Sequence, residues 1–209
     1  MIPPDDADAF AAATGATPVQ MADLLRYREL LQDWNGRMNL VGPSALASFW
    51  PRHAYDSAQL LGLAPDARVW ADLGTGAGLP GVVLAILLKG REGARVHLVE
   101  SLAKRCRFLG EVVAALDLPA EVHNARAEAV MIPEPVDIVT ARALAPFARL
   151  LGYAFPLLRS GATGLFLKGQ GVDEEITEAR RSWRFQAELL PSASSDTGRI
   201  VKVTGLARA

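Results

Sequence analysis

Residues 69–88 read VWADLGTGAGLPGVVLAILL, and no other stretch restricts the fold of this chain as strongly. An apolar run of strand length leads straight into Gly74, Gly76, Gly78 and Gly81, four glycines in eight positions, and a second apolar run follows. Glycines at that density suit a strand that turns tightly into a helix. They reach backbone conformations closed to other residues and let the main chain approach a ligand with no Cβ in the way. The free N–H groups of the following helix then face that ligand. In an open α/β sheet, such a loop lies in the crevice at the carboxyl ends of the strands, where strand order reverses.

The rest of the chain agrees with this placement. From Arg68 onward, strands alternate with helices: VWADL, RVHLVE, AEVHNA, VDIVTA and TGLFLKG read as strands. Between them, LPGVVLAILL, SLAKRCRFLGEVVAAL, FARLLGYAFPLL and DEEITEARRSW read as helices. The second of these helices has Ser101 as its cap and Leu102, Cys106, Leu109, Val113 and Leu116 inward; the last carries acids in its first turn and arginines in its last. This alternation predicts a mostly parallel sheet covered on both faces. FQAELL and RIVKVTGL close the chain across a short, helix-free connection, so they should pair antiparallel.

Residues 1–64 show no strand signal and read as a helical N-terminal extension packed on a core domain spanning 65–209. Thr17-Pro18-Val19-Gln20 starts a helix, with Thr17 as cap, Pro18 at the first position and Gln20 completing a capping box. Leu24, Tyr27, Leu31, Trp34 and Met38 then recur at helical spacing. Gly36 and Gly42-Pro43 break it, SALASFW predicts a short helix, and Pro51 starts or kinks the next one over RHAYDSAQLL.

The glycine loop fits two ligand classes. Gly76, Gly78 and Gly81 match G-x-G-x-x-G, a dinucleotide pattern, whereas Asp72, Gly74, Gly76 and Gly78 match acid-x-G-x-G-x-G, an S-adenosylmethionine pattern. Asp72 favours the second register. An acid at the strand end suits a ligand carrying an ammonium group and is badly placed beside a pyrophosphate. Glu100 ends the second strand, where a carboxylate can accept from both hydroxyls of a ribose, and it serves either class. A nicotinamide-dependent oxidoreductase stays open as an alternative, as does a module that binds S-adenosylmethionine without chemistry.

Composition removes other classes. The chain balances 22 Lys and Arg against 23 Asp and Glu, which argues against a nonspecific nucleic-acid coat but allows a local basic face. Cys106 is the single cysteine, so no disulfide framework or thiolate zinc site is expected. His53, His97 and His123 lack metal-ligand spacing, and no metal is expected. The acidic N-terminus carries no signal-peptide pattern and VVLAILL is too short to span a bilayer, so the expectation is a soluble cytoplasmic protein. With no apolar surface stripe demanding a partner, it should be a monomer.

Seven ordered blocks, WNGRMNLVG, RHAYDS, DLGTGAGLPG, ESLAKRCRFL, NARAE, DIVTARALAP and LFLKGQ, run through nearly the whole chain. In them the chain resembles the 16S ribosomal RNA guanine-N7 methyltransferase family, small-subunit methyltransferase G, formerly glucose-inhibited division protein B. The resemblance implies a class I S-adenosylmethionine-dependent methyltransferase: a Rossmann-like seven-stranded sheet in the order 3-2-1-4-5-7-6 with strand seven antiparallel. It implies cofactor contacts at Gly74, Leu79, Ala127, Glu128 and Arg142, and 16S rRNA in the small ribosomal subunit as partner. Family members often carry Asp where this chain has Glu100, and Pro51 before Arg52-His53 is unusual.

Guanine N7 has a free lone pair at neutral pH, so methylating it requires alignment and a dry pocket rather than a general base. The sequence accordingly offers no evident acid–base dyad or activated nucleophile, and Cys106 reads as core. Arg142, at the end of strand four, is expected to organise cofactor and target base. Arg52 and His53 of the helical part and Lys168 at the end of strand five are the candidate RNA contacts. Lys104, Arg105 and Arg107 read as the wet face of their helix.

Overall fold

Local signals set the first elements in the computed structural model, which describes residues 3–42 and 46–209. Helix α1 (Ala7–Thr14) is capped by Asp6, whose carboxylate accepts from Ala9 N, and it stops at Gly15 with φ of 69°. Helix α2 (Pro18–Asn35) begins with the expected capping box: Thr17 Oγ1 accepts from Gln20 N at 3.3 Å and Gln20 Oε1 from Thr17 N at 2.9 Å. Asn35 ends it and folds the turn behind it, its Oδ1 accepting from Leu40 N at 2.8 Å and Val41 N at 3.0 Å.

The next helical segment departs from expectation. Ser44 and Ala45 of the predicted SALASFW helix lie outside the described residues. Phe49–Ala54 forms a π-helical turn that runs into α3 (Tyr55–Leu63). Pro51 has no N–H with which to close a regular α turn, and the wider turn accommodates it.

The seven strands are β1 (Val69–Leu73), β2 (Arg95–Glu100), β3 (Ala120–Asn124), β4 (Ile138–Arg142), β5 (Thr163–Lys168), β6 (Trp183–Pro191) and β7 (Arg199–Arg208). Their order is β3-β2-β1-β4-β5-β7-β6, as the resemblance implies. The first five strands pair parallel, and β7 runs antiparallel to both β5 and β6. Strand β4 starts two residues later than VDIVTA predicts. The Asp137 carboxylate is turned aside to accept from Arg68 N at 2.8 Å and Val69 N at 2.9 Å, which ties the entry of β4 to that of β1.

Four further helices cover the sheet: α4 (Gly81–Leu88), α5 (Ala103–Ala115), α6 (Phe147–Arg159) and α7 (Val172–Ala179). Two corrections apply. Ser101 is exposed and caps nothing; instead Glu100 Oε1 takes the free N–H of Leu102 at 2.8 Å. The inward stripe of α5 runs through Phe108, Leu109 and Val112, with Val113 packed against the core and Leu116 buried just past the helix end as expected, while Leu102 is 53% exposed and Cys106 half-buried, its thiol directed at the Glu100 carbonyl. Helix α7 keeps its acidic first turn but ends at Ala179, so Arg180 and Arg181 follow it rather than fill its last turn.

Each face of the sheet has its own core. On one face Trp70, Val96 and Leu98 pack with α4, α5 and the N-terminal helices through Phe10, Leu24, Tyr27 and Leu31. On the other, Leu73, Val139 and Phe166 pack with α6 and α7 through Phe147, Leu151 and Ile176. Burying each large apolar side chain contributes about 1.5–3 kcal/mol, so the N-terminal helices are bound to the sheet by the same force that closes the sheet itself. Among the described residues, no helix is long and apolar enough to cross a membrane.

Candidate functional site

The loop after β1 is shaped by backbone. Gly74, Gly76 and Gly78 have φ of 65°, 60° and 95°, the left-handed region in which a side chain is strained. Thr75 N donates to Val99 O at 3.0 Å, which ties the loop to the end of β2, and Gly78 N and Leu79 N both donate back to Thr75 O. Gly81 has a different reason to be glycine: a Cβ there would stand 2.4 Å from Leu98 Cδ2 and 2.8 Å from Asp72 Oδ2, so it permits close packing of α4 on β1 and β2.

Asp72 lies under this loop, fully buried. Its Oδ2 accepts from Gly81 N at 2.9 Å and its Oδ1 from Thr140 Oγ1 at 2.9 Å. The carboxylate thus caps α4 at the positive end of its dipole and joins β1 to β4, so it is engaged inside the fold and does not face a ligand's ammonium group as its strand-end position predicts. Burial raises its pKa to about 6, against the hydrogen bonds and the Arg142 charge that lower it. Glu100 stands at the loop's other edge, 4% exposed, with Oε2 accepting from Gly76 N at 3.1 Å and forming an ion pair with Arg105 Nη1 at 3.5 Å. Hydrogen bonds from Leu102 N and Gly76 N use two of a carboxylate's roughly four lone-pair sites, so capacity for two ribose hydroxyls remains.

Tyr27 supports the loop from α2. Its hydroxyl donates to Ala77 O at 2.7 Å in the buried interior. The sequence shows Tyr27 only as one member of a helical stripe, and no local signal marks this second task.

Two clefts open at the carboxyl end of β4. The first, of about 290 Å³, is lined by Gly74, Ala127, Glu128, Leu144 and Tyr153 among others. It brings three of the expected cofactor residues together: Gly74 after β1, and Ala127 and Glu128 on the 3₁₀ turn after β3. Gly76 and Gly78 continue the loop beside it. Leu79 does not line this cleft: its side chain is 5% exposed and belongs to the core, and its N–H is taken by Thr75 O.

The second cleft, of about 390 Å³, is lined by Arg52, His53, Asp56, Arg142, Lys168 and Glu175 among others. It assembles all three RNA candidates around Arg142. Arg142 Nη1 donates to Arg52 O at 3.1 Å and to His53 Nδ1 at 2.9 Å, and stands 3.9 Å from Asp56 Oδ2. Desolvation and the charges of Arg142 and Arg52 lower the His53 pKa to about 4, so the ring is neutral at pH 7. Because Nδ1 accepts from Arg142, the proton sits on Nε2, which is buried and has no partner. Desolvation lowers the pKa of Arg142 itself, opposed chiefly by Asp56. Lys168 is less free than a solvated strand end. Its Nζ pairs with Glu175 Oε2 at 2.6 Å, and the same carboxylate oxygen takes Phe147 N, which docks α7 against the start of α6.

Ala143 separates the two clefts. Its φ of 52° is unusual for a residue with a side chain, and it sends Arg142 and Leu144 into opposite clefts. Such a conformation costs on the order of 1–2 kcal/mol and persists only where its surroundings enforce it.

Set beside known proteins, residues 20–199 match the family GidB, rRNA small subunit methyltransferase G. The chain belongs to this family. A ribosomal RNA small subunit methyltransferase G of Caulobacter vibrioides is 62% identical over 203 residues, covering 97% of this chain and 93% of the relative. Among solved structures, an O-methyltransferase from Bacillus cereus in complex with SAH is similar in fold, with a TM-score of 0.58 at 19% identity, over 86% of this chain and 91% of that one. A SAM-dependent methyltransferase from Aquifex aeolicus gives a TM-score of 0.57 at 16% identity, over 84% and 97% respectively. Membership in the methyltransferase G family removes the oxidoreductase alternative. S-adenosylmethionine is therefore the cosubstrate, and the left-handed glycines, the cleft beside Gly74 and the Glu100 carboxylate fit it.

Proposed function

We propose that this protein transfers a methyl group from S-adenosylmethionine to N7 of a guanine in 16S rRNA of the small ribosomal subunit, acting as a cytoplasmic monomer. One observation carries the reading. Consecutive residues Arg142, Ala143 and Leu144 line two adjoining clefts, one beside the glycine loop at Gly74 and one lined by Arg52, His53, Arg142 and Lys168. When bound, the cosubstrate supplies an electrophilic sulfonium methyl; the chain's task is to present a nucleophile to it in line.

The residues suit that task. Gly74, Gly76, Gly78, Glu100, Ala127 and Glu128 hold the nucleoside and amino-acid portions, and Asp72 braces the loop from beneath. Arg142 orients the target base from the second cleft. A guanidinium has five donors, and the contacts to Arg52 and His53 use one nitrogen. His53, neutral, holds Arg142 in place through Nδ1. Neither residue has to remove a proton, because N7 carries none. Alignment alone can contribute about 7–11 kcal/mol to lowering such a barrier.

The test is tritiated-methyl transfer to small subunits, followed by strand cleavage at N7-methylguanine and primer extension. A single cleavage site is expected. Label that resists N7-specific cleavage would overturn the choice of atom, and small subunits that take up no label would overturn the choice of substrate.

A further inference from the structure

The connection from β3 to β4 contains no crossover helix, only the 3₁₀ turn Ala127–Ala129 and irregular chain. Beneath that connection, edge strand β3 and its neighbour β2 carry polar side chains where a sheet face is normally apolar. In the parallel register His97 is paired with Glu121 and Val99 with His123, so His97, Glu121 and His123 share one face.

The three side chains converge. His97 Nδ1 lies 2.9 Å from His123 Nε2, Glu121 Oε1 lies 3.8 Å from the same His123 nitrogen, and the ligand atoms of all three lie within 4.8 Å of one another. The tautomer of His97 follows from its other nitrogen. Nε2 is 3.2 Å from Glu134 Oε1, an acceptor, so Nε2 holds the proton and Nδ1 turns a lone pair toward His123. An imidazole held from behind by a carboxylate is the arrangement that orients metal-bound histidines. His97 is fully buried while the His123 side chain is 14% exposed, which leaves an entry route from the sheet edge. Arg95 reaches Glu134 at 3.3 Å and Glu121 at 4.0 Å, and it neutralises part of the acidic charge.

We propose that His97, His123 and Glu121 bind one divalent ion of the zinc class, with Glu134 orienting His97, and that the ion clamps edge strand β3 to β2. Two imidazoles and a carboxylate are the donors such an ion prefers, at metal–nitrogen distances of about 2.0–2.1 Å. Two nitrogens 2.9 Å apart need to spread by only about 0.4 Å to share one tetrahedral ion at such bond lengths. The competing occupant of the same gap is a proton shared between the rings.

The untagged full-length chain, stripped with chelator, is titrated with Zn²⁺ against a chromophoric chelator and with Co²⁺ followed by visible absorption. Melting is recorded with and without Zn²⁺. One ion per chain and a melting temperature raised by several degrees are expected, since binding to the folded state alone is stabilising. Glu134→Gln should weaken affinity about 10- to 100-fold, and His123→Gln should abolish it while the chain stays folded by circular dichroism. A wild-type chain that takes no Zn²⁺, or a His123→Gln chain that binds as the wild type does, overturns the site and leaves the shared proton. Neither readout involves methyl transfer, so failure here leaves the proposed function untouched.

Discussion

On one side of Ala143 the crevice opens beside a glycine loop, and on the other it is ringed by charged side chains paired with one another. The Gly74 side joins left-handed glycines, with a buried carboxylate beneath them, to Ala127 and Glu128 of the turn after β3. The Arg142 side draws Arg52, His53 and Asp56 from the N-terminal helical part, 86 to 90 residues away along the chain, and Lys168 and Glu175 from β5 and α7. The difference matches the two tasks. A nucleoside cosubstrate is always the same molecule and can be met by a fixed main chain, whereas a base within folded RNA is met by donors aimed one at a time.

The comparison is open to a graded set of tests. Gly74→Val should have the largest effect, because a β-branched residue there is strained at φ of 65° and its Cβ would stand 2.4 Å from Leu144 Cδ1. Calorimetry should show affinity for S-adenosylmethionine reduced at least about 100-fold with helical circular dichroism retained; unchanged affinity would detach the loop from the site. Arg142→Ala should slow methyl transfer on the order of 100-fold while cofactor affinity stays within about threefold. Asp56 keeps Ser192 and Ser194 as donors, so folding should suffer little. If rate and cofactor affinity fell together, the two clefts would not be separable.

Asp72→Asn tests the brace under the loop. The folded carboxyl, near pH 6, holds its proton more tightly than the unfolded one, near 3.8. Its contribution is therefore fully present below about pH 4 and is lost as pH rises through about 6, a swing on the order of 3 kcal/mol. An amide keeps an acceptor for Gly81 N and a donor for Thr140 without ionising. Melts of the variant should gain on wild type between pH 4 and pH 7, and a difference independent of pH would remove the account. The smallest effect belongs to Tyr27→Phe, which deletes the bond to Ala77 O at a cost of about 1 kcal/mol. It should weaken cofactor binding a few-fold, read by the same calorimetry, and leave target-base selection alone.

What the sequence made legible follows the same division. The strand–glycine–helix unit, the capping box at Thr17 and the closing hairpin all rest on neighbours in sequence, and each stands where local chemistry puts it. Arg142 meeting His53, Lys168 meeting Glu175 and Tyr27 meeting Ala77 depend on which elements the sheet order brings together, and no local pattern encodes that. The histidines show the limit most plainly. His97 and His123, 26 residues apart, have no motif spacing, yet adjacent parallel strands set their rings in contact. Even a local reading can lose to a neighbour: Ser101 is a good cap by type, but the Glu100 carboxylate reached the free N–H first.

The left-handed loop also sets where this protein can be made more heat-tolerant. Exchanging glycine for alanine ordinarily gains about 0.4–1 kcal/mol by restricting the unfolded chain, but that route is shut at Gly74, Gly76 and Gly78. It is open at Gly62 in α3 and Gly110 in α5, where an added methyl would meet nothing within 4 Å. A thermostabilised version would thus carry its changes in helices away from the crevice and keep the most entropically costly turn of the chain as it is.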